Sequence, residues 1–279
     1  MNKRTVKVGN IECGNGDLFL IAGPCVVEDE SLMLKAAEGI KKIAQKLKLP
    51  LIFKASFQKD NRSALKFYHG PGLSKGLAIL ARIKKEFDLP LISDVHYPQQ
   101  VDEAKEVLDV IQIPAYLCMQ TELVVAAARS KKAINIKHGQ FLAPENMASP
   151  VKKAEESGSD RIMLTERGYT FGYNDLVLDP RSFYHLNRIG YPVIFDVTHC
   201  VRRYGIPSAD ARGGSREFLP VIARAGVAAG IDGLFVETHP EPSVAKCDAA
   251  SQIALADLEE FIKPLLEIHA VVKKERQRG

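Results

Sequence analysis

Five cations stand out because each ends, or closely follows, a short apolar run: Lys54, Lys59, Arg62, Lys137 and Arg167. Gathered in one place they would repel strongly, and more so where water is excluded. The acids Asp94, Glu166, Asp196 and Glu237 follow similar runs and would neutralise part of that charge. The remainder calls for an anionic ligand, phosphate or carboxylate, for which Arg forks and Lys point charges are suited. A second set, Cys25, His199, Glu237 and Asp248, offers sulfur, nitrogen and two oxygen donors. That mixture suits Zn²⁺, Fe²⁺ or Mn²⁺. Taken singly, each residue has a plainer reading. Cys25 is a small buried hydrophobe, His199 a hydrogen-bonded loop histidine, Glu237 or Asp94 a helix cap, and Lys54 or Arg167 half of an interstrand ion pair. The functional reading rests on their joint placement.

No local motif joins these residues, so the fold must assemble them. Eight apolar runs read as strands: Leu18–Val26, Pro50–Phe57, Leu91–His96, Val110–Ala115, Ala133–Lys137, Arg161–Glu166, Pro192–His199 and Gly233–Thr238. Nearly continuous Val/Ile/Leu/Phe content is the mark of parallel strands buried on both faces. Between and after them lie stretches of helical periodicity: Glu30–Lys48, Leu73–Phe87, Pro98–Leu108, Glu122–Arg129, Pro150–Ser157, Pro180–Ile189, Ser215–Ala229 and Leu255–Lys274. Eight strands alternating with eight helices predict an α/β chain folded as one (β/α)8 TIM barrel. A doubly wound open sheet is the rival, but no G-x-G-x-x-G opens the first strand–helix junction. Ahead of the barrel, Val6-Lys7-Val8 and Ile11-Glu12-Cys13 flank Gly9-Asn10 and predict a small β-hairpin. The expected division is a hairpin extension over 1–16 and a catalytic barrel over 17–279.

In such a barrel the site forms at the C-terminal ends of the strands. All eight predicted strands end on polar or ligating groups: Cys25; Lys54 and Ser56; Asp94 and His96; Gln112; Lys137; Glu166 and Arg167; Asp196 and His199; Glu237 and His239. Three loops at that end are long, Gln58–Gly72, Cys200–Gly214 and Thr238–Gln252, and long loops in compact domains tend to be functional. The first, seventh and eighth strands adjoin in a closed barrel, which would bring Cys25, His199, Glu237 and Asp248 together.

Composition sets the outer limits. With 46% apolar and 26% charged residues in 279, the chain is globular. A net charge of +4 without an aromatic–basic stripe gives no case for nucleic acid. The longest apolar run, Leu18 to Val27, is interrupted by Gly23-Pro24 and is too short to span a membrane. No apolar h-region follows the cations of Met1 to Gly9, so no signal peptide is expected. Five cysteines, an odd number without C-x-x-C spacing, are expected to be reduced thiols in a cytoplasm.

The strand-end strings also resemble one family from about Leu18 to the end. They are IAGPC (21–25), FKASFQKDNRS (53–63), SDVH (93–96), QIPAYL (112–117), NIKHGQFLAP (135–144), LTERGYTFGYNDLVLD (164–179), DVTHC (196–200), GGSREF (213–218), FVETHPEP (235–242) and CDAASQ (247–252). This ordered set is similar to that of the 3-deoxy-D-manno-octulosonate 8-phosphate synthases, which condense phosphoenolpyruvate with D-arabinose 5-phosphate. The resemblance implies that Lys59, Lys137 and Arg167, with Ser56 and Gln112, form the phosphoenolpyruvate pocket. It implies arabinose 5-phosphate contacts at Asn61, Arg62 and Ser63, the latter two acting across a subunit interface. Lys54 and Asp94 fall near the reacting carbons, and Lys54, Lys137, His199 and Asp248 are the expected catalytic groups. Cys at position 25 marks the metal-dependent class, with His199, Glu237 and Asp248 completing a site for one divalent ion. A homotetramer and a place in lipopolysaccharide biosynthesis are implied as well.

The related 3-deoxy-D-arabino-heptulosonate 7-phosphate synthases, which use erythrose 4-phosphate, are the alternative. Lys59-Asp60-Asn61-Arg62-Ser63 resembles the octulosonate wording rather than the Pro-Arg-Thr-Ser of the heptulosonate enzymes. The chain departs from the family in having Met119 where Arg is common and Cys200 where Ser is common. Cys247 before Asp248 occurs in some metal-independent members. Two other classes compete: a Schiff-base aldolase, which needs a lysine in an apolar pocket, and a non-catalytic sugar-phosphate sensor, which has no use for a metal quartet.

Overall fold

The computed structural model describes residues 3–170, 174–208 and 210–278. Residues 1–2 of the expected extension, 171–173 within the 164–179 string, 209 in the Cys200–Gly214 loop, and 279 lie outside the described residues.

The predicted hairpin is present. Strands β1 (Val6–Val8) and β2 (Ile11–Cys13) pair antiparallel, with Val8 opposite Ile11 and Gly9 at φ +57° opening the turn. Alternation buries Val6, Val8, Ile11 and Cys13 and exposes Lys7 and Glu12. The four buried side chains pack with Phe19, Ile52, Ile92 and Ile194, closing the N-terminal end of the barrel.

The barrel strands are β3 (Phe19–Gly23), β4 (Leu51–Lys54), β5 (Leu91–Asp94), β6 (Val110–Ile113), β7 (Ala133–Lys137), β8 (Ile162–Glu166), β11 (Val193–Asp196) and β12 (Gly233–His239). They pair parallel in chain order, and β12 bonds to both β11 and β3, so the ring closes. Two short strands, β9 (Tyr169–Thr170) and β10 (Leu176–Val177), form an antiparallel pair after β8, and β13 (Ile253–Ala254) pairs parallel with the end of β12. The helices are α1 (Glu30–Leu47), α2 (Leu73–Phe87), α3 (Val101–Val107), α4 (Thr121–Arg129), α5 (Ala148–Glu156), α6 (Arg181–Ile189), α7 (Leu219–Ala228) and α8 (Leu258–Arg278). The expected closed (β/α)8 architecture is therefore found.

Several strands stop short of the apolar run that predicted them. The first ends at Gly23, the second at Lys54, the third at Asp94 and the seventh at Asp196. Beyond these points regular pairing ends: Val26 and Ser56 form an isolated bridge, and the Val95 and Val197 amides still donate to the Gln112 and Phe235 carbonyls. On α1 one face is buried. Met33, Ala36, Ala37, Ile40 and Ala44 face the strands, while Leu32, Ile43 and Leu47 flank them. Asp29 caps this helix, accepting from the Leu32 amide at 2.9 Å.

Inside the barrel, residue type changes by layer. Ile21, Ile52, Ile92, Val110, Ala133, Met163, Ile194 and Phe235 make one apolar ring. Side chains alternate faces along a strand, so the next inward residue is two positions on. Those positions hold Gly23, Lys54, Asp94, Gln112, Asn135, Thr165, Asp196 and Glu237. A hydrophobic floor thus carries a polar layer. Gly23 is the gap in that layer: a Cβ there would fall 1.9 Å from the Lys54 carbonyl oxygen. Gly23→Ala is expected to destabilise the fold by about 3 kcal/mol, since backbone rather than a flexible side chain must yield. An unchanged urea midpoint would refute this.

Candidate active site and metal centre

A cavity of about 470 Å³ opens at the C-terminal ends of the strands. Four of the five sequence-predicted cations, Lys59, Arg62, Lys137 and Arg167, line it together with Asp94 and His199. Asn61 lines it too, while Ser63 is exposed and borders an adjoining smaller cavity shared with Arg62, Arg202 and Asp248. Lys54, Ser56, Gln112, Cys25 and Glu237 lie buried beneath, outside the lining of the larger cavity.

Asp94, at the end of β5, accepts from Ser56 Oγ at 2.5 Å, Lys59 Nζ at 3.0 Å and Gln112 Nε2 at 2.5 Å. Gln112 in turn accepts from Asn135 Nδ2 at 2.8 Å, and Asn135 accepts from Thr165 Oγ1 at 2.7 Å. This buried chain crosses four neighbouring strands of the polar layer and fixes the orientation of one carboxylate. Burial opposes the charge on Asp94, but Lys59, Lys54 and His96 outweigh it and hold the carboxyl well below its ordinary range. Burial likewise acts against the charge of Lys59, yet Asp94 carries its pKa well above the usual lysine value.

Lys137 ends β7 and donates to Asp196 Oδ2 at 2.5 Å. Asp196 also contacts His199 Nδ1 at 2.7 Å. Burial would raise the Asp196 carboxyl, but His199 and Lys137 depress it far below normal. Lys54 ends β4 and donates to Glu237 Oε1 at 2.5 Å and the Cys25 carbonyl at 2.8 Å. Both ammonium groups stand over the Phe235 ring, at 4.5 Å for Lys137 and 5.5 Å for Lys54.

Arg167 follows β8, where Glu166 accepts from the backbone amides of Arg167 and Gly168 at 2.8 and 2.7 Å. Its other carboxylate oxygen meets His138 Nδ1 at 2.9 Å, and His138 Nε2 meets the Leu142 carbonyl at 2.7 Å. His138 is thus a buried, hydrogen-bonded histidine that braces the turn presenting Arg167. Arg167 Nη2 donates to Tyr204 Oη at 3.0 Å, while its Nε and Nη1 are buried without a hydrogen-bond partner among the described residues. Two unsatisfied guanidinium nitrogens beside a cavity are a prepared anion contact.

The expected metal quartet resolves into two overlapping triads. Cys25, Cys247 and Asp248 bring donor atoms within 4.8 Å of one another, as do His199, Glu237 and Asp248. Asp248 is common to both. Burial works against the Asp248 carboxylate, but Arg202, His199 and Lys59 hold its pKa far below normal. Asp196 takes the Nδ1 side of His199, which leaves Nε2 with its lone pair facing Asp248 Oδ2 at 3.5 Å and Glu237 Oε1 at 3.8 Å. Burial lowers the His199 pKa and favours the neutral, ligating imidazole. Glu237 Oε2 is buried without a hydrogen-bond partner among the described residues. Preset tautomer, depressed carboxylates and an orphaned oxygen all fit a divalent cation.

Sequence reasoning missed a residue of the cavity wall. Tyr204, which also accepts from Gln140 Nε2 at 3.0 Å, sits in a loop without periodicity. Arg202 meets Asp248 Oδ1 at 2.8 Å and Arg203 meets Asp175 at 3.0 Å, so both arginines have local partners of their own. Met119 packs against the core.

Asp94, Glu166 and Asp196 are all held below their ordinary pKa. Such groups add stability above the unfolded values of about 4 and lose it as the pH falls, because the unfolded chain then binds more protons. The urea midpoint is expected to fall steeply below about pH 4.5. A flat profile down to pH 3 would contradict the buried charge network.

Comparison with known proteins agrees with this geometry. Residues 2–274 match the DAHP synthetase I family. The chain is 50% identical over 272 residues to the 2-dehydro-3-deoxyphosphooctonate aldolase of Geotalea uraniireducens (strain Rf4), covering 97% of this chain and 99% of the relative. It is 51% identical over 272 residues to the protein of the same name in Geotalea daltonii, with the same coverage. For that of Fusobacterium nucleatum the identity is 51% over 269 residues, 96% of each chain. The closed barrel, the cationic cavity at its C-terminal face and these matches make the chain a member of the DAHP synthetase I family, alongside the 2-dehydro-3-deoxyphosphooctonate aldolases.

Proposed function

We infer that the chain condenses phosphoenolpyruvate with D-arabinose 5-phosphate and water, giving 3-deoxy-D-manno-octulosonate 8-phosphate and inorganic phosphate. The observation that carries this reading is the single cavity on which Lys59, Arg62, Lys137 and Arg167 converge. Two highly anionic substrates must be held together there, a task of orientation and charge neutralisation. C3 of the enol phosphate attacks the aldehyde carbon. Positive charge develops at C2, water adds there, and the hemiketal phosphate loses inorganic phosphate by C–O cleavage.

Lys59, Lys137 and Arg167 would hold phosphoenolpyruvate, with Ser56 and Gln112 setting Asp94 and Lys59 from below. Asn61, Arg62 and Ser63 would take the sugar phosphate. Lys137 reaches the cavity, whereas Lys54 lies under it, so Lys137 Nζ is the better placed to give a proton to the aldehyde oxygen. Cys25, His199, Glu237 and Asp248 would hold one divalent ion of the Zn, Fe(II) or Mn type, and of these His199 lines the larger cavity. When bound, that ion supplies Lewis acidity toward the aldehyde or the attacking water. A homotetramer belongs to the same reading. The reading also includes a cytoplasmic place in lipopolysaccharide biosynthesis. No described helix is long and apolar enough to cross a membrane.

Phosphate release on mixing phosphoenolpyruvate with arabinose 5-phosphate tests the reading, with erythrose 4-phosphate in parallel, before and after chelation. Turnover with the five-carbon acceptor, lost on chelation and restored by a divalent metal, is expected. Turnover with erythrose 4-phosphate alone would mean that the Asn61–Ser63 loop selects the shorter sugar. Activity surviving demonstrated metal removal would remove the metal from the scheme.

A further inference from the structure

Cys247 lies outside the quartet that the sequence suggested, yet it is packed against it. Its Sγ is 2.8 Å from Cys25 Sγ, and Cys25 Sγ is 3.4 Å from Asp248 Oδ2. Both thiols are buried. The contact is built from both sides by one amide side chain. Gln252 Oε1 accepts from the Cys25 amide at 3.2 Å, and Gln252 Nε2 donates to the Cys247 carbonyl at 2.8 Å. Asp248 follows in the left-handed region at φ +53°, a conformation that aspartate tolerates better than most residues. Its carbonyl accepts from the Ser251 and Gln252 amides at 3.0 and 3.1 Å, so the turn bearing Cys247 and Asp248 is fixed.

We propose that Cys247 is a second thiolate ligand of the divalent ion, so that the site presents two sulfurs beside Asp248, His199 and Glu237. The charge arrangement supports this. Lys54 pairs with Glu237, Arg202 with Asp248, and Arg62 Nη1 donates to Cys247 Sγ at 2.9 Å. Three of the four anionic donors thus have a cation of their own, which lets a site so rich in negative groups persist in a buried place. A guanidinium N–H on a ligating sulfur is the kind of outer-shell bond that orients a ligand and tunes it. It also ties the metal to the acceptor loop, because Arg62 belongs to the segment assigned to the sugar phosphate. Two soft thiolates favour zinc over manganese, for which oxygen donors are the better match. The proposal rests on the metal reading above and adds a ligand to it.

Co²⁺ added to the reduced full-length apoprotein without air is the probe, read as thiolate-to-cobalt charge transfer in the near ultraviolet. Wild type is expected to show the band, and Cys247→Ser and Cys25→Ser to lose about half of it each. A band unchanged in Cys247→Ser and abolished in Cys25→Ser would overturn the proposal and leave the quartet standing. Absence of the band in wild type would overturn the metal reading and the proposal together. X-ray absorption on the zinc-loaded wild type needs no variant to fold. Two sulfur neighbours support the second thiolate, and one refutes it.

Discussion

Lys137→Met is expected to lower kcat by about 10³-fold, near the middle of the range for losing a positioned proton donor or charge stabiliser. Lys137 has two jobs that this variant separates from a merely structural one. It lines the cavity proposed to hold the substrates, and it donates to Asp196 at 2.5 Å. Removing the ammonium leaves the buried Asp196 carboxylate without its lysine, and breaking such a pair costs about 3–5 kcal/mol. Stability will therefore drop as well, and activity must be read on protein shown to be folded. The informative split is between KM and kcat. A lysine that only holds phosphoenolpyruvate raises KM with kcat held, whereas one acting in the transition state lowers kcat and kcat/KM alike. Lys137→Arg keeps the charge but not the point-like ammonium, and is expected to recover stability better than turnover. A Lys137→Met protein with normal kcat would end the proton-donor assignment.

The contrast between Lys137 and Lys54 marks where the sequence ceased to be legible. Both end predicted strands, both carry the same charge, and from the chain alone they were equal candidates. What separates them is depth. Lys54 stands two residues after Ile52, in the polar layer directly on the apolar floor, whereas Lys137 stands two residues beyond Asn135 of that layer and so reaches the cavity. Period-2 alternation gives the face of a strand but not its stagger against neighbours, and stagger decides depth in a tilted barrel. The eight strands and eight helices were readable because each carries its own apolar pattern. Cys25 beside Asp248 was readable because ring closure makes the first and last strands neighbours, and the β3–β12 register bears this out. Tyr204 was not, since it reaches the site from a loop whose path no periodicity dictates. Cys247 was visible next to Asp248, but only the folded turn brings its sulfur to Cys25.

The deeper lysine has its own expected result. Lys54→Met should unfold the protein more readily, by about 3–5 kcal/mol, because Glu237 is then left as a buried carboxylate without its cation. The pair is fully enclosed, with 1% exposure of the lysine and none of the glutamate, so water cannot take over from the lost ammonium. Burial raises the Glu237 carboxyl while Lys54 and His199 lower it to below its ordinary range. Without Lys54 the carboxyl is expected to take up a proton at a higher pH. Lys54→Met combined with Glu237→Gln removes both charges at similar volume. If the single variant's defect is the orphaned carboxylate, the double variant regains much of the stability, because an uncharged pair avoids the buried-charge penalty. It should not regain turnover, since Glu237 is also one of the proposed metal ligands. Urea midpoints and phosphate release on the two single variants and the double variant close the cycle. Additive stability losses would show that the two side chains act independently, and the ion pair would then not be what holds β4 and β12 together at the polar layer.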